Sequence, residues 1–139
     1  MTQNEKYLLL KDLCARLPYG VKVNNEIQGD FKIYGICENF VFGRNEVCHI
    51  DFDIEKIKPY LFPLSSMTEE QKKDIFHNGK FYIDHHNSLC RFPMYEDDYD
   101  FVTMEDCLEI FNKLNKYHLD YRGLIPMGLA IDATGLNIY

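Results

Sequence analysis

The chain has 139 residues, 46% of them hydrophobic and 14% aromatic, with ten Tyr, ten Phe and no Trp. This composition excludes a disordered chain, and the length suits one domain, residues 1–139, with a substantial core. The formal net charge is −7, and residues 65–139 hold 13 Asp and Glu against 7 Lys and Arg. Such a balance disfavours direct binding to the phosphate backbone of DNA or RNA, so we expect no nucleic-acid partner.

The N-terminal sequence MTQNEKYLLLKDL lacks the features of a signal peptide, and its longest apolar run, residues 7–10, is too short to cross a membrane. The five Cys are odd in number and form no CxxC pair, which predicts free thiols. We therefore expect a cytoplasmic protein that does not bind membranes.

The N-terminal segment, residues 4–17, has the periodicity of an amphipathic helix that ends at Pro18. Its predicted apolar face is Tyr7, Leu10, Cys14 and Leu17, with Leu13 beside it. The charged side chains Lys6, Lys11, Asp12 and Arg16 are predicted to lie on the other faces.

Four segments then alternate or are rich in β-branched and aromatic residues, namely 20–25, 30–37, 39–43 and 46–54. They predict a short antiparallel meander, with Phe31, Ile33 and Gly35 on one face of its second strand. Pro59 and Pro63 argue against a central strand in the segment that follows.

Two further helices are predicted from capping residues. Ser66 followed by Glu69 resembles a capping box and predicts a helix from Met67 to about His77. Thr103 is the predicted N-cap of a helix from Met104 to about His118. The predicted apolar stripe of that helix is Met104, Cys107, Leu108, Phe111 and Leu114.

Between these helices GKFYIDH (79–85) predicts a strand, and near the C-terminus GLAID (128–132) predicts another. The order of elements indicates an α+β fold, because strands and helices do not alternate as in βαβ units. We expect a small antiparallel sheet or half-open barrel with about three helices packed against it.

The stretch FYIDHHNS (81–88) contains Asp84, His85 and His86, which resemble the DHH signature of the DHH phosphoesterases. In an extended strand Asp84 and His86 share a face and His85 does not, which leaves a metal ion short of ligands. We interpret the stretch as a strand end and turn and expect no metal or other cofactor. If a metal is bound, these three residues are the predicted ligands.

The acidic run MYEDDYD (94–100) is interpreted as a solvated loop. Counted from Asp98, its sixth position is Thr103, whereas an EF-hand loop requires Gly there. The motifs GxSxG, GxxxxGK[ST] and GxGxxG are absent, so the sequence favours a protein without enzymatic activity.

The segment after the last predicted helix concentrates polar residues, His118, Asp120, Tyr121 and Arg122. In one interpretation Arg122 pairs with a carboxylate such as Asp120 and anchors the apolar tail. In the other, the four residues form a site for a ligand or partner, with Arg122 and Tyr121 as the main contacts.

Three stretches resemble a family of small, uncharacterised proteins from gut anaerobic bacteria and their phages and prophages. They are DLCARLPYGVKV (12–23), IKPYLFPLSSMTEEQKKDI (57–75) and YHLDYRGLIPMGLAIDA (117–133). The resemblance implies a mobile-element origin and a cytoplasmic setting, and it brings no catalytic residues.

Three functions follow as hypotheses. The first is a non-enzymatic phage or mobile-element accessory protein that binds another protein, for example as an inhibitor of a host defence component. The second is a small-ligand or nucleotide-binding module. The third is a small metal-dependent phosphoesterase that uses IDHHN (83–87).

Overall fold

The structure, a computed structural model, describes residues 1–92 and 102–139, so the acidic run 94–100 lies outside the described residues. Its helices are α1 (Gln3–Arg16), α2 (Glu69–Ile75) and α3 (Met104–Lys116). Its strands are β1 (Lys22–Asn25), β2 (Gly29–Cys37), β3 (Phe40–Arg44), β4 (His49–Asp53), β5 (Ile57–Leu61), β6 (Phe81–Ile83), β7 (Leu89–Arg91) and β8 (Ile131–Asp132).

Six of the strands form one sheet in the order β4-β3-β2-β1-β5-β8, and β6 and β7 form a separate hairpin. All pairs in the large sheet are antiparallel except β5 with β8, which is parallel. The sheet is not closed into a barrel. The predicted α+β class is confirmed, as is the meander of β1 to β4.

The expectation that Pro59 excludes a central strand is wrong. Pro59 lies in β5, between β1 and β8, and is opposite Val23 of β1. Pairing with β8 begins only at Tyr60, so the proline has no strand partner on that side. A residue without an N–H is tolerated where one side of the strand has no ladder to complete.

The predicted apolar face of α1 is also wrong, because two charged residues face the core. The buried residues of α1 are Leu9, Asp12, Leu13 and Arg16, whereas Tyr7 and Cys14 are exposed. These four buried positions are separated by three or four residues and therefore share one side of the helix. An ion pair thus lies on the buried side of α1, where it bonds to Leu119 and Arg122 of the segment after α3.

The two later helices begin and pack differently from the predictions. Thr68, not Ser66, caps α2, and Gln71 completes the capping box. Thr103 caps α3 as predicted, but Met104 and Leu108 of the predicted stripe are exposed. The side that α3 buries contains Ile110, Leu114 and Asn115.

The buried side chains form two clusters. One lies between α1 and the inner face of the large sheet and includes Val23, Phe31, Ile33, Val41 and Phe52 together with Leu124 and Leu129 from the C-terminal tail. The other joins α2, α3 and β6 through Ile75, Phe81, Ile110 and Leu114. The opposite, outer face of β1 to β4 carries the side chains that alternate with the first cluster.

Candidate functional site

The four residues that the sequence analysis singled out after α3 come together with α1. His118, Asp120 and Tyr121 are buried, and the Arg122 side chain is 18% exposed. The centre of this group is the ion pair of Asp12 and Arg16, whose side chains are fully buried. We call these six residues the buried polar cluster.

Arg16 connects α1 to the tail. Its Nε donates to Asp12 Oδ2 at 2.8 Å, and its Nη2 donates to Asp12 Oδ1 at 3.0 Å and to the Leu119 carbonyl at 2.7 Å. The bidentate pairing satisfies the buried carboxylate, and the third bond ties the helix to a residue 103 positions away. The Asp12 carboxylate is therefore held in one position inside the core.

Arg122 bonds to Asp12 and not to the predicted Asp120. Its Nε donates to Asp12 Oδ1 at 3.2 Å, and its Nη2 donates to the Tyr121 hydroxyl at 3.1 Å. Asp120 instead accepts from the Leu124 and Ile125 amides, both at 2.8 Å, and holds the turn that follows. Arg122 therefore connects the tail to α1, and the assignment of Asp120 as its partner is wrong.

His118 is held in a left-handed backbone conformation, with φ of 56°, and its ring stacks on Tyr139 at 3.7 Å between centroids. Burial, together with the nearby charges of Arg16 and Lys22, lowers the pKa of His118 from 6.5 to about 4. The imidazole is therefore neutral at physiological pH.

The buried polar cluster fits a role in stability. Asp12 and Arg16 have no exposed side-chain surface, so a partner cannot reach them without opening the fold. The hydrogen bonds join α1 to Leu119 and Arg122 of the segment after α3, and the Tyr121 hydroxyl donates to Asn115 of α3. The prediction that Tyr121 and Arg122 bind a ligand or partner stays a prediction.

Asp84, His85 and His86 lie in the turn between β6 and β7. Asp84 Oδ1 accepts from the His86 and Ser88 amides, both at 2.9 Å, and these amide bonds, chiefly that from Ser88, lower the pKa of Asp84. The two His rings pack on each other at 3.9 Å between centroids. Within residues 1–92 and 102–139, no group of three or more His, Cys, Asp or Glu side chains is placed to hold a metal ion.

The outer face of the large sheet brings together residues that the sequence analysis did not single out. Lys22 lies opposite Lys32, Lys32 opposite Arg44, and Arg44 opposite His49. Residues in register on adjacent strands lie on the same side of a sheet, so these four form a line across β1 to β4, which we call the cationic row.

Beside the cationic row lie three aromatic side chains, which we call the aromatic patch: Tyr34, Phe40 and Phe42. Tyr34 is the extra residue of an irregularity in β2, and its ring lies 6.4 Å from that of Phe42 and 5.8 Å from that of His49. Tyr34 is 49% exposed and Phe40 is 46% exposed. Asp51 is opposite Phe42 and Asp53 opposite Phe40, so carboxylates of β4 border the patch.

A groove of about 360 Å³ lies over the cationic row. Its lining includes Lys22, Asp30, Lys32, Arg44, Asn45 and Glu46. A second pocket, of about 520 Å³, lies between α2 and β6 and is lined largely by apolar side chains such as Leu64, Met67, Phe76 and Phe81. The groove differs from this pocket in having several charged side chains in its lining.

Two signals in the sequence point to parts of this arrangement. The spacing of Asp12 and Arg16, four residues apart, permits an ion pair on one helix face, but burial depends on residues more than 100 positions away. The alternation in β2 and β3 places Lys32 and Arg44 away from Phe31 and Val41, but their alignment depends on the register of pairing.

No helix among the described residues is both long and apolar enough to span a membrane. Comparison of the chain with protein-family models, with curated proteins and with solved structures finds no match. The proposals below therefore depend on the geometry of this molecule and on the resemblance described above.

Proposed function

We propose that this is a non-enzymatic accessory protein of a phage or mobile element, and that it binds another protein through the aromatic patch and strand β4. The observation that carries the proposal is the exposure of Tyr34 and Phe40 on the outer face of the sheet. A solvated sheet face is usually polar, and exposed aromatic clusters with charged borders are typical of protein interfaces. Inhibition of a host defence component is one form that we propose for this binding.

Strand β4 adds a second means of contact because it is an edge of the large sheet. The Ile54 amide donates to the Asn39 carbonyl at 2.9 Å, and the Asn45 amide donates to the Cys48 carbonyl at 3.1 Å. Because hydrogen-bonded pairs alternate along an antiparallel ladder, the backbone groups of His49, Asp51 and Asp53 point away from β3. They are therefore placed to pair with an added strand.

The charges on β4 define the chemistry of that strand. The side chains of Asp51 and Asp53 lie on the outer face, two residues apart, beside the aromatic patch. An added strand with Lys or Arg at alternate positions places these side chains on the outer face opposite both carboxylates, and their aliphatic stems extend toward the aromatic patch. The occupant that fits is an extended protein segment with alternating basic residues.

The test is affinity capture from lysates of gut anaerobic bacteria, followed by binding measurements with the purified captured protein. We expect one protein to be captured by the wild type and lost from Phe40→Ser and from Asp51→Lys/Asp53→Lys. Tyr7→Ser removes a similarly exposed aromatic residue from α1 and serves as the matched control. Equal capture by all four proteins, or capture lost in the Tyr7 variant, contradicts the proposal.

Strand addition has its own test at position 51. Asp51→Pro removes a backbone N–H that points away from β3, so the fold tolerates the change, but an added strand loses a hydrogen bond. Asp51→Ala removes only the carboxylate. Binding that is weaker for Asp51→Pro than for Asp51→Ala supports strand addition, and equal binding by the two variants shows that the partner contacts side chains alone.

A further inference from the structure

The cationic row places like charges opposite one another. Lys22, Lys32 and Arg44 lie directly opposite one another on three adjacent strands, and like charges in this arrangement destabilise a sheet. Neither Lys32 nor Arg44 has a hydrogen bond or ion pair with a carboxylate within residues 1–92 and 102–139. An anion bound between these side chains removes the repulsion.

The surroundings restrict where these cationic groups lie. The Lys32 stem passes over Gly20, where an added Cβ would come within 2.8 Å of Lys32 Cε. Gly20 has a φ of 72°, so glycine suits this position in both conformation and space. The Lys22 ammonium group donates to the Ile138 carbonyl at 2.6 Å, and the Arg44 guanidinium lies 5.9 Å from the centre of the Tyr34 ring.

The groove over the row also offers hydrogen-bond acceptors. Asp30 Oδ1 accepts from the Tyr60 hydroxyl at 2.7 Å and from Asn24 Nδ2 at 2.8 Å, which fixes the carboxylate at the groove. Glu46 also lines the groove. Carboxylate oxygens accept hydrogen bonds from ligand hydroxyl groups, so the groove combines an anion site with acceptors.

We propose that this groove binds a small phosphate ester that carries hydroxyl groups, as in a sugar phosphate or a nucleotide. The phosphate lies between Lys32 and Arg44, because two cations suit a dianion and the guanidinium matches phosphate oxygens in a bidentate geometry. The hydroxyl groups donate to Asp30 and Glu46. A volume of about 360 Å³ is within the range of small-molecule sites.

Calorimetric titration of the purified full chain at low salt tests the site. The probes are ribose 5-phosphate and adenosine 5′-monophosphate, with inorganic phosphate and ribose as partial ligands. We expect both esters to bind, and binding to weaken at least about tenfold in Lys32→Gln and in Arg44→Gln. Lys58→Gln, which removes a cation on the same face opposite Asn24 and outside the groove lining, is the matched control and should change affinity less than about twofold.

Glu46→Gln tests the hydroxyl contact separately. The substitution should weaken the esters but not inorganic phosphate, because only the esters have hydroxyl groups to donate. Equal affinity for the two esters indicates that the sugar phosphate part of the ligand is sufficient for binding. Tighter binding of adenosine monophosphate indicates that the preferred ligand is a nucleotide. Both results support the proposal.

Several outcomes overturn it. They are the absence of binding by either ester at millimolar concentration, equal loss in Lys58→Gln, and binding only of polymeric anions such as a single-stranded oligonucleotide or polyglutamate. Thermal unfolding of each variant confirms that it is folded. No partner protein is required, so failure here leaves the strand-addition proposal standing, and failure of that proposal leaves this one standing.

Discussion

The molecule holds cations in two regions that differ in how their charges are balanced. In the buried polar cluster, Arg16 and Arg122 share the carboxylate of Asp12 and are fixed by hydrogen bonds to the backbone and to Tyr121. On the outer face of the sheet, Lys32 and Arg44 are opposite each other without such a carboxylate. The first arrangement contributes to folding, whereas the second leaves charge available for binding.

The largest effect is expected from Asp12→Ala, which removes the anion shared by two arginines. Arg16 has no exposed side-chain surface, so the variant strands a charge in the core. We expect a loss of about 3–5 kcal/mol in the free energy of unfolding, measured by urea denaturation. Asp51→Ala, at an exposed position of β4, should change it by less than about 0.5 kcal/mol. Similar costs for both substitutions would contradict the contrast between the regions.

The pH dependence of stability tests the neutral, buried state of His118. Because its pKa is about 4 in the folded protein and near 6.5 when unfolded, the unfolded chain binds the proton first as pH falls. The contribution of neutral His118 to the free energy of unfolding is fully present above pH 6.5 and is lost as pH falls toward 4. The pKa difference corresponds to about 3 kcal/mol.

The comparison of wild type with His118→Asn isolates this contribution. Asparagine tolerates the positive φ of 56° at this position and does not titrate. The difference in unfolding free energy between the two proteins should shrink from pH 7 to pH 4. A difference that is independent of pH would show that His118 titrates normally in the folded protein.

A smaller effect is expected from Arg122→Ala. The Arg122 side chain is 18% exposed, and Asp12 keeps both hydrogen bonds from Arg16 in its absence. We expect a loss of about 1.5–3 kcal/mol, the range for hydrogen bonds to charged groups, and less than that of Arg16→Ala. If Arg122→Ala is fully stable and loses binding to a partner, Arg122 belongs to a functional surface instead.

The smallest effect, and the one of opposite sign, is expected from Lys32→Gln. The substitution removes a charge that opposes both Lys22 and Arg44, so the unfolding free energy should stay the same or rise by about 0.2–1 kcal/mol. The rise should shrink at high salt because exposed charges are screened. A clear loss of stability would mean that Lys32 has a structural partner.

The sequence predicts the strands better than it predicts which helix faces are buried. The alternation of apolar and polar residues identifies β1 to β4, because one side of each strand packs in the core. The prediction of where α2 begins fails for a local reason. Ser66 and Thr68 each begin a sequence that resembles a capping box, ending at Glu69 and Gln71. Ser66 lies instead in the 3₁₀ turn Leu64–Ser66 and its hydroxyl donates to the Pro63 carbonyl, so Thr68 is the cap.

The candidate sites are harder to predict because they depend on distant residues. Asp12 and Arg16 fit an exposed ion pair on a helix equally well until Leu119 and Arg122 are known to pack against them. The cationic row depends on registers set separately by three strand pairs and by the irregularity at Tyr34. A shift of one residue in the register of any of these pairs would move side chains to the opposite face and separate the cationic groups.

The parallel pairing of β8 with β5 has a consequence for synthesis of the chain on the ribosome. The Tyr139 hydroxyl donates to the Tyr60 carbonyl at 2.8 Å and accepts from the Lys22 amide at 3.0 Å, and Leu124 and Leu129 fill the core above β1 and β2. The first half of the chain therefore lacks part of its core and sheet until residues 119–139 have been synthesised. We expect the nascent chain to stay incompletely folded until these residues have left the ribosome, with chaperones and proteases able to act on the earlier form.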